Sequence, residues 1–130
     1  MDVVGAVANA ATLHPTLSGI YGKTIRSTGF NDHVVPCLEY TLISNVPGVE
    51  IWEPIVIQWD QFVKTNVELY NSEQALMMLF SHQNPVLLNG VYMWSMFVEG
   101  AQLAAPMTHG YYGRALRFRF TPVMSEYVSN

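Results

Sequence analysis

The chain has 130 residues, of which 50% are hydrophobic and only 12% are charged, whereas an ordinary soluble domain carries about 25% charged residues. This length predicts one domain over residues 1–130, and the composition excludes intrinsic disorder, which needs low hydrophobicity and high charge. A net charge of −4 does not favour a general nucleic-acid binder, and so few charged side chains predict that apolar surface is buried against other subunits.

The first part of the chain is predicted to form one helix followed by strands. Small apolar residues at helical spacing predict a helix over Asp2–Leu13, which ends before Pro15. Leu17–Ile25 is predicted to be a short strand broken by two glycines, and Ser27–His33 a loop. Apolar residues occupy both alternating sets of Pro36–Ser44, which predicts a strand that is covered on both sides.

The second part is predicted to form a strand, a helix and two further strands. The strand covers Ile51–Val63, and the helix covers Asn71–Gln83, whose first two residues are candidate N-caps. Alternation then predicts strands over Val91–Glu99 and Tyr112–Pro122. This order favours an α+β fold with a mixed, mostly antiparallel sheet and helices packed on one face.

The last of these strands has two chemically different faces. An apolar set alternates with a basic set, namely Leu116, Phe118 and Phe120 against Arg117 and Arg119. Together with Arg114, these arginines are candidate basic residues that face a partner or a lumen. An ordinary solvated sheet face is the alternative interpretation.

Charge is unevenly distributed along the chain. Residues 32–99 hold eight acids against Lys64, a net charge of −7, and residues 111–130 hold three arginines against Glu126, a net charge of +2. Opposite charges on one small chain suit head-to-tail association, although chance variation in a small count explains the pattern equally well.

Sequence motifs for enzyme chemistry are weak. Gly22-Lys23-Thr24 resembles the end of a phosphate-binding loop, but the earlier glycine that the loop requires is replaced by Leu17. Cys37 is interpreted as a packed core residue, because no basic neighbour lowers its pKa. The acidic pairs Glu50/Glu53 and Glu39/Asp60 have no neighbours that suggest a substrate pocket.

Metal and membrane chemistry have little support either. The four histidines do not pair at a ligand spacing, and we predict no metal and no cofactor; they are His14, His33, His82 and His109. The longest charge-free apolar stretch, Val86–Val98, is too short for a membrane helix, so no membrane partner is expected. A small enzyme or ligand-binding domain whose histidines and glutamates meet in space remains an alternative.

The layout of elements resembles that of the tail terminator proteins of long-tailed bacteriophages, also called tail completion or tail-to-head joining proteins. The resemblance covers nearly the whole chain and depends on element order and spacing. Its parts are the N-terminal helix, the proline-led strand at 35–42, the run at 49–60 before a helix at about Ser72–His82, the strand at 91–98, and the ending at 113–123.

The resemblance implies a structural virion protein and not an enzyme. Such subunits form a ring, commonly a hexamer, that caps the tail tube, ends its polymerisation and joins it to the head connector in the neck region. The implied partners are other copies of the chain, the tail tube protein, a head-completion or connector protein, and genomic DNA that passes without sequence specificity. Assembly would take place in the host cytoplasm, and another neck or tube-like ring protein is the alternative.

Two loops are predicted to contact partners, because connecting segments commonly carry recognition. They cover Ser27–His33 and Leu103–Gly110. The candidate docking residues within them are Asn31, Asp32, His33, Met107 and His109.

Overall fold

A computed structural model describes residues 3–27, 35–44, 54–102 and 112–123 of the chain. Within these ranges it contains three helices and six strands. In chain order they are α1 (Val3–Leu13), α2 (Pro15–Tyr21), β1 (Ile25–Ser27), β2 (Cys37–Ser44), β3 (Ile55–Val63), α3 (Asn66–Phe80), β4 (Val86–Leu88), β5 (Val91–Gln102) and β6 (Tyr112–Pro122).

The six strands form one mixed sheet in the order β1-β2-β3-β6-β5-β4. β1 runs parallel to β2, and every other neighbouring pair is antiparallel. The helices pack on one face of the sheet, and α1 contacts both edge strands, β1 and β4, because the sheet curls around it. The predicted α+β fold, with a mostly antiparallel sheet and helices on one face, is therefore confirmed.

The core lies between the helices and the concave face of the sheet. Phe80 of α3 stacks on Trp59 with ring centroids 5.6 Å apart, and it meets the edges of Phe118 and Phe120 from β6. All four side chains are fully buried. Phe118 and Phe120 therefore lie inward, as the alternation in β6 predicts, and this aromatic cluster joins α3 to the centre of the sheet.

The segment predicted as a strand over Leu17–Ile25 is helical instead, and only its last residue enters β1. Pro15 occupies the first turn of α2, where its missing N–H costs nothing, and Gly22 ends the helix at a φ of 59°. Leu17 and Tyr21 are one helical turn apart and both are buried. Burial of these two side chains on one helix face decides the conformation.

The long helix begins earlier than the sequence predicts. Thr65 caps α3, and its hydroxyl accepts a hydrogen bond from the Glu68 backbone N–H at 3.1 Å. Glu68 in turn accepts from the Thr65 backbone N–H at 3.2 Å, which completes a capping box. The proposed caps Asn71 and Ser72 lie inside the helix, where the Ser72 hydroxyl is buried 2.6 Å from the Tyr21 hydroxyl.

β4 was not predicted from the sequence. It pairs with the start of β5 through a turn at Asn89 and Gly90, which have φ angles of 45° and 89°. Positive φ at both central residues is the geometry that an Asn-Gly pair favours in a two-residue hairpin. Three residues are too few to show alternation, so the Asn-Gly turn was the one feature of this segment that could have indicated a hairpin.

Candidate assembly surface

The sheet has one face that the three helices do not cover, and we call it the open face. The strand register places alternate residues of each strand on this face, starting from Arg117 and Arg119 of β6. Two different surfaces lie side by side on it. One is a polar network on β3, β6 and β5, and the other is an apolar stripe on β4 and β5.

The polar network links four side chains across three strands. Arg117 donates from Nε to Gln58 Oε1 at 2.7 Å and from Nη1 to Glu99 Oε1 at 3.0 Å. Gln58 donates from Nε2 to Asp60 Oδ1 at 2.7 Å. The guanidinium therefore has polar partners on both neighbouring strands, and its charge is largely committed within the subunit.

A second acidic residue lies directly opposite Asp60 in the register of β2 and β3. This residue, Glu39, is buried, and its carboxylate lies 3.6 Å from the guanidinium of Arg26 on β1. Burial raises the pKa of the Asp60 carboxyl, while the hydrogen bond from Gln58 and the charge of Arg117 oppose that shift. The acidic pair considered from the sequence is therefore brought together, and each of its members faces an arginine.

The apolar stripe on the open face consists of five large side chains that are each 40–66% exposed. We call it the sheet patch, and its members are Leu87, Tyr92, Trp94, Met96 and Val98. β4 pairs only with Val91–Met93, so the following residues of β5 have no strand on that side within the described part of the chain. A groove of about 520 Å³ lies along this edge, lined by His82, Trp94 and Phe97 among others.

A second apolar surface lies on the helical layer, and sequence reasoning missed it. We call this set of exposed apolar side chains the helix patch; its members are 64–72% exposed and are Leu13, Val67, Tyr70 and Met78. The exposed polar residues Asn71 and Gln74 lie between Tyr70 and Met78 on α3. Beside Met78, a groove of about 340 Å³ runs between α3 and the junction of α1 with α2. The helix predicted from the sequence began at Asn71 and therefore left out Val67 and Tyr70. Their helical spacing with Met78 could not be recognised for this reason.

The structure separates the three candidate arginines. Arg114 lies on the concave face, where its Nε is 3.2 Å from Oε1 of Glu73 on α3. Arg117 and Arg119 lie together on the open face, as the alternation predicts. Arg119 is exposed beside Met96, and no ion pair to it occurs among the described residues. The three side chains therefore do not form one basic surface.

The five candidate docking residues lie outside the residues that the structure describes, namely Asn31, Asp32, His33, Met107 and His109. The acidic pair Glu50/Glu53 also lies outside them.

The remaining candidate residues for enzyme or metal chemistry include Cys37 and His82, and both are held in the packed structure. Cys37 is fully buried at the start of β2, in agreement with its interpretation as a packed residue. The ring of His82 lies 2.8 Å from the Leu79 carbonyl oxygen at the end of α3, and its backbone N–H donates to the Ser95 carbonyl at 2.9 Å. Across the described ranges, no three residues of the His, Cys, Asp or Glu types are grouped so that they could hold a metal ion.

The segment that resembles a phosphate-binding loop follows a helix instead of preceding one. Gly22 and Lys23 form the turn after α2, and Thr24 donates its hydroxyl to the Pro36 carbonyl at 2.7 Å. Phosphates bind where backbone N–H groups point outward at a helix N-terminus. This turn lies at a helix C-terminus, so its geometry opposes phosphate binding.

Among the helices that the structure describes, none is long and apolar enough to cross a membrane. Comparisons with protein-family models, with curated proteins and with solved structures find no match for this chain.

Proposed function

We propose that this chain is a structural protein of a bacteriophage tail. Its copies form a ring, expected to be hexameric, that caps the tail tube, ends tube polymerisation and joins the tube to the head connector. The sheet patch is the observation that carries the proposal, because it exposes five adjoining large apolar side chains on a protein with little charge. The order of elements, which resembles that of tail terminator proteins, supports the place in the tail neck.

A ring is favoured over a symmetric pair because the subunit carries two different apolar surfaces. The sheet patch and the helix patch lie on opposite layers of the fold. A contact between unlike surfaces leaves one of each kind unused in a dimer, and further copies then add until the rotation closes. The upper and lower rims of such a ring would contact the tail tube protein and a head-completion or connector protein.

Genomic DNA passing through the ring would meet the protein without sequence readout. Such contact requires exposed cations that are not already neutralised. Arg119 meets this requirement better than Arg117 or Arg114, whose guanidinium groups have acidic partners at 3.0 and 3.2 Å. We therefore assign Arg119 as the residue of the three that contacts DNA or an acidic partner.

Native mass spectrometry and negative-stain microscopy of the purified chain test this function, with and without the tail tube protein. We expect a closed ring whose mass is a multiple of 14.6 kDa, and we expect added rings to stop the tube protein from polymerising. A chain that stays monomeric even with the tube protein present would refute the proposal. Rings that bind a head component but leave tube growth unchanged would instead assign the chain to another position in the neck.

A further inference from the structure

The sheet patch and the helix patch are matched in size. Taking about 200 Å² for a large apolar side chain, each patch exposes on the order of 500 Å². The largest apolar patch on a typical monomer is about 300–600 Å², and the summed exposed apolar area of each set lies in that range. Burying one against the other, together with a polar rim, approaches the roughly 1,200–2,000 Å² of a standard stable interface.

The sheet patch has a groove at its edge, and the helix patch has an exposed, flexible side chain that fits such a groove. Met78 is the most exposed member of the helix patch on α3, and a groove of about 520 Å³ opens beside Trp94 at the edge of the sheet patch. An unbranched methionine side chain adapts well to an irregular apolar groove and makes favourable contacts with aromatic rings. Both patches lack a covering element in the described part of the subunit.

We infer that the sheet patch of one copy of this chain docks on the helix patch of the next copy. This inference rests on the proposed ring and specifies its subunit interface. It commits the partner at both surfaces to a second copy of the same chain, because one contact then covers two equal apolar areas that would otherwise face water. The contact is head-to-tail, so every subunit in the ring uses both patches.

Two double variants test the pairing. Trp94→Lys/Met96→Lys places two charges in the sheet patch, and Tyr70→Lys/Met78→Lys places two in the helix patch. The matched control is Ser18→Lys/Gly19→Lys, which adds the same charge at two exposed positions of α2 outside both patches. Circular dichroism first establishes that each variant keeps the wild-type spectrum, and native mass spectrometry then gives the oligomeric state.

We expect each patch variant alone to be monomeric and the control to form the wild-type ring. When the two patch variants are mixed, we expect dimers that contain one chain of each, because each variant retains one intact patch. Such dimers also show that both variants are folded.

Two results would overturn the inference while leaving the ring in place. One is that both patch variants form wild-type rings, and the other is that the mixed variants remain monomeric. A wild-type chain that never assembles, with or without the tail tube protein, would refute the proposed function itself and the interface with it.

Discussion

Arg117 and Glu99 face each other on neighbouring strands of the open face, with Nη1 of the arginine donating to Oε1 of the glutamate at 3.0 Å. Two residues further along β6, Arg119 lies on the same face beside Met96. One arginine therefore supports the sheet, and the other is available for contact outside the subunit.

This difference predicts unlike effects for the same substitution. Arg117→Glu places an acid between Glu99 and Asp60 and removes the bond to Gln58, so we expect a loss of about 1–2 kcal/mol in the free energy of unfolding. Arg119→Glu should change that free energy by less than about 0.5 kcal/mol. Urea denaturation of the two variants measures the difference.

The same pair separates folding from function. Arg119→Glu should reduce the infectivity of phage that depend on the variant subunit, because an exposed cation that contacts DNA or an acidic partner is reversed. Arg119→Lys is the control and should retain infectivity. Wild-type infectivity of Arg119→Glu would show that this residue has no such role.

The raised pKa of the Asp60 carboxyl predicts that the stability of the fold depends on pH. Because burial raises its pKa in the folded chain above the ordinary value of 3.8, the folded state binds the proton more tightly than the unfolded state. Ionisation of Asp60 therefore costs stability as pH rises through the folded pKa, and this cost disappears when pH falls to about 3.8 or below.

Asp60→Asn tests this dependence, because asparagine keeps an oxygen that can accept from Gln58. We expect the variant to unfold at higher urea concentration than wild type at pH 7, and the gain should shrink as the buffer is acidified towards pH 4. An equal effect at every pH would contradict the raised pKa. Gln58→Glu/Asp60→Asn, which restores one acid nearby, serves as a comparison.

Phe118 tests the assignment of the two faces of β6. Its ring is fully buried against Phe80 and Phe97, with centroids 5.6 Å apart in both pairs. Phe118→Asp leaves an unpaired charge in the core and should cost at least about 3 kcal/mol, enough to unfold a marginally stable domain. Phe118→Leu should remain folded, and circular dichroism with thermal melting distinguishes the two. A well-folded Phe118→Asp chain would mean that the two faces are exchanged.

Thr65 tests where the long helix begins. Thr65→Ala removes the hydroxyl that accepts from the Glu68 N–H, and we expect a loss of about 1 kcal/mol in the free energy of unfolding. Asn71→Ala is the matched control: Asn71 is exposed inside α3, where alanine has the higher helix propensity, so stability should be unchanged or should rise by about 0.5 kcal/mol. The reverse order of the two effects would move the cap back to Asn71.

The regions with long runs of one periodicity were predicted well. β6 matches its predicted bounds of Tyr112–Pro122, and α1 ends at the predicted Leu13. In both cases many consecutive residues repeat the same pattern of burial. The short elements were missed because α2 has seven residues and β4 has three, and so few positions fit more than one period.

The candidate surface was only partly predictable. Alternation was enough to place Arg117 and Arg119 together, and the low charge content was enough to expect exposed apolar surface. The same alternation separates Arg114 from these two arginines, since Arg114 shares its side of β6 with Leu116 and Phe118. Its partner Glu73 comes from α3, 41 residues earlier in the chain, and no local pattern connects the two.

The sequence by itself determined the class of fold, the inward and outward sides of β6, and the shortage of charge, because each depends on composition or on periodicity within one element. Only the tertiary structure decided which arginine is neutralised, that Glu39 and Asp60 are neighbours, and that the apolar side chains gather into two patches on opposite layers. Those relationships depend on strand order and register across the sheet, and these are set by the simultaneous packing of elements that lie far apart in the chain.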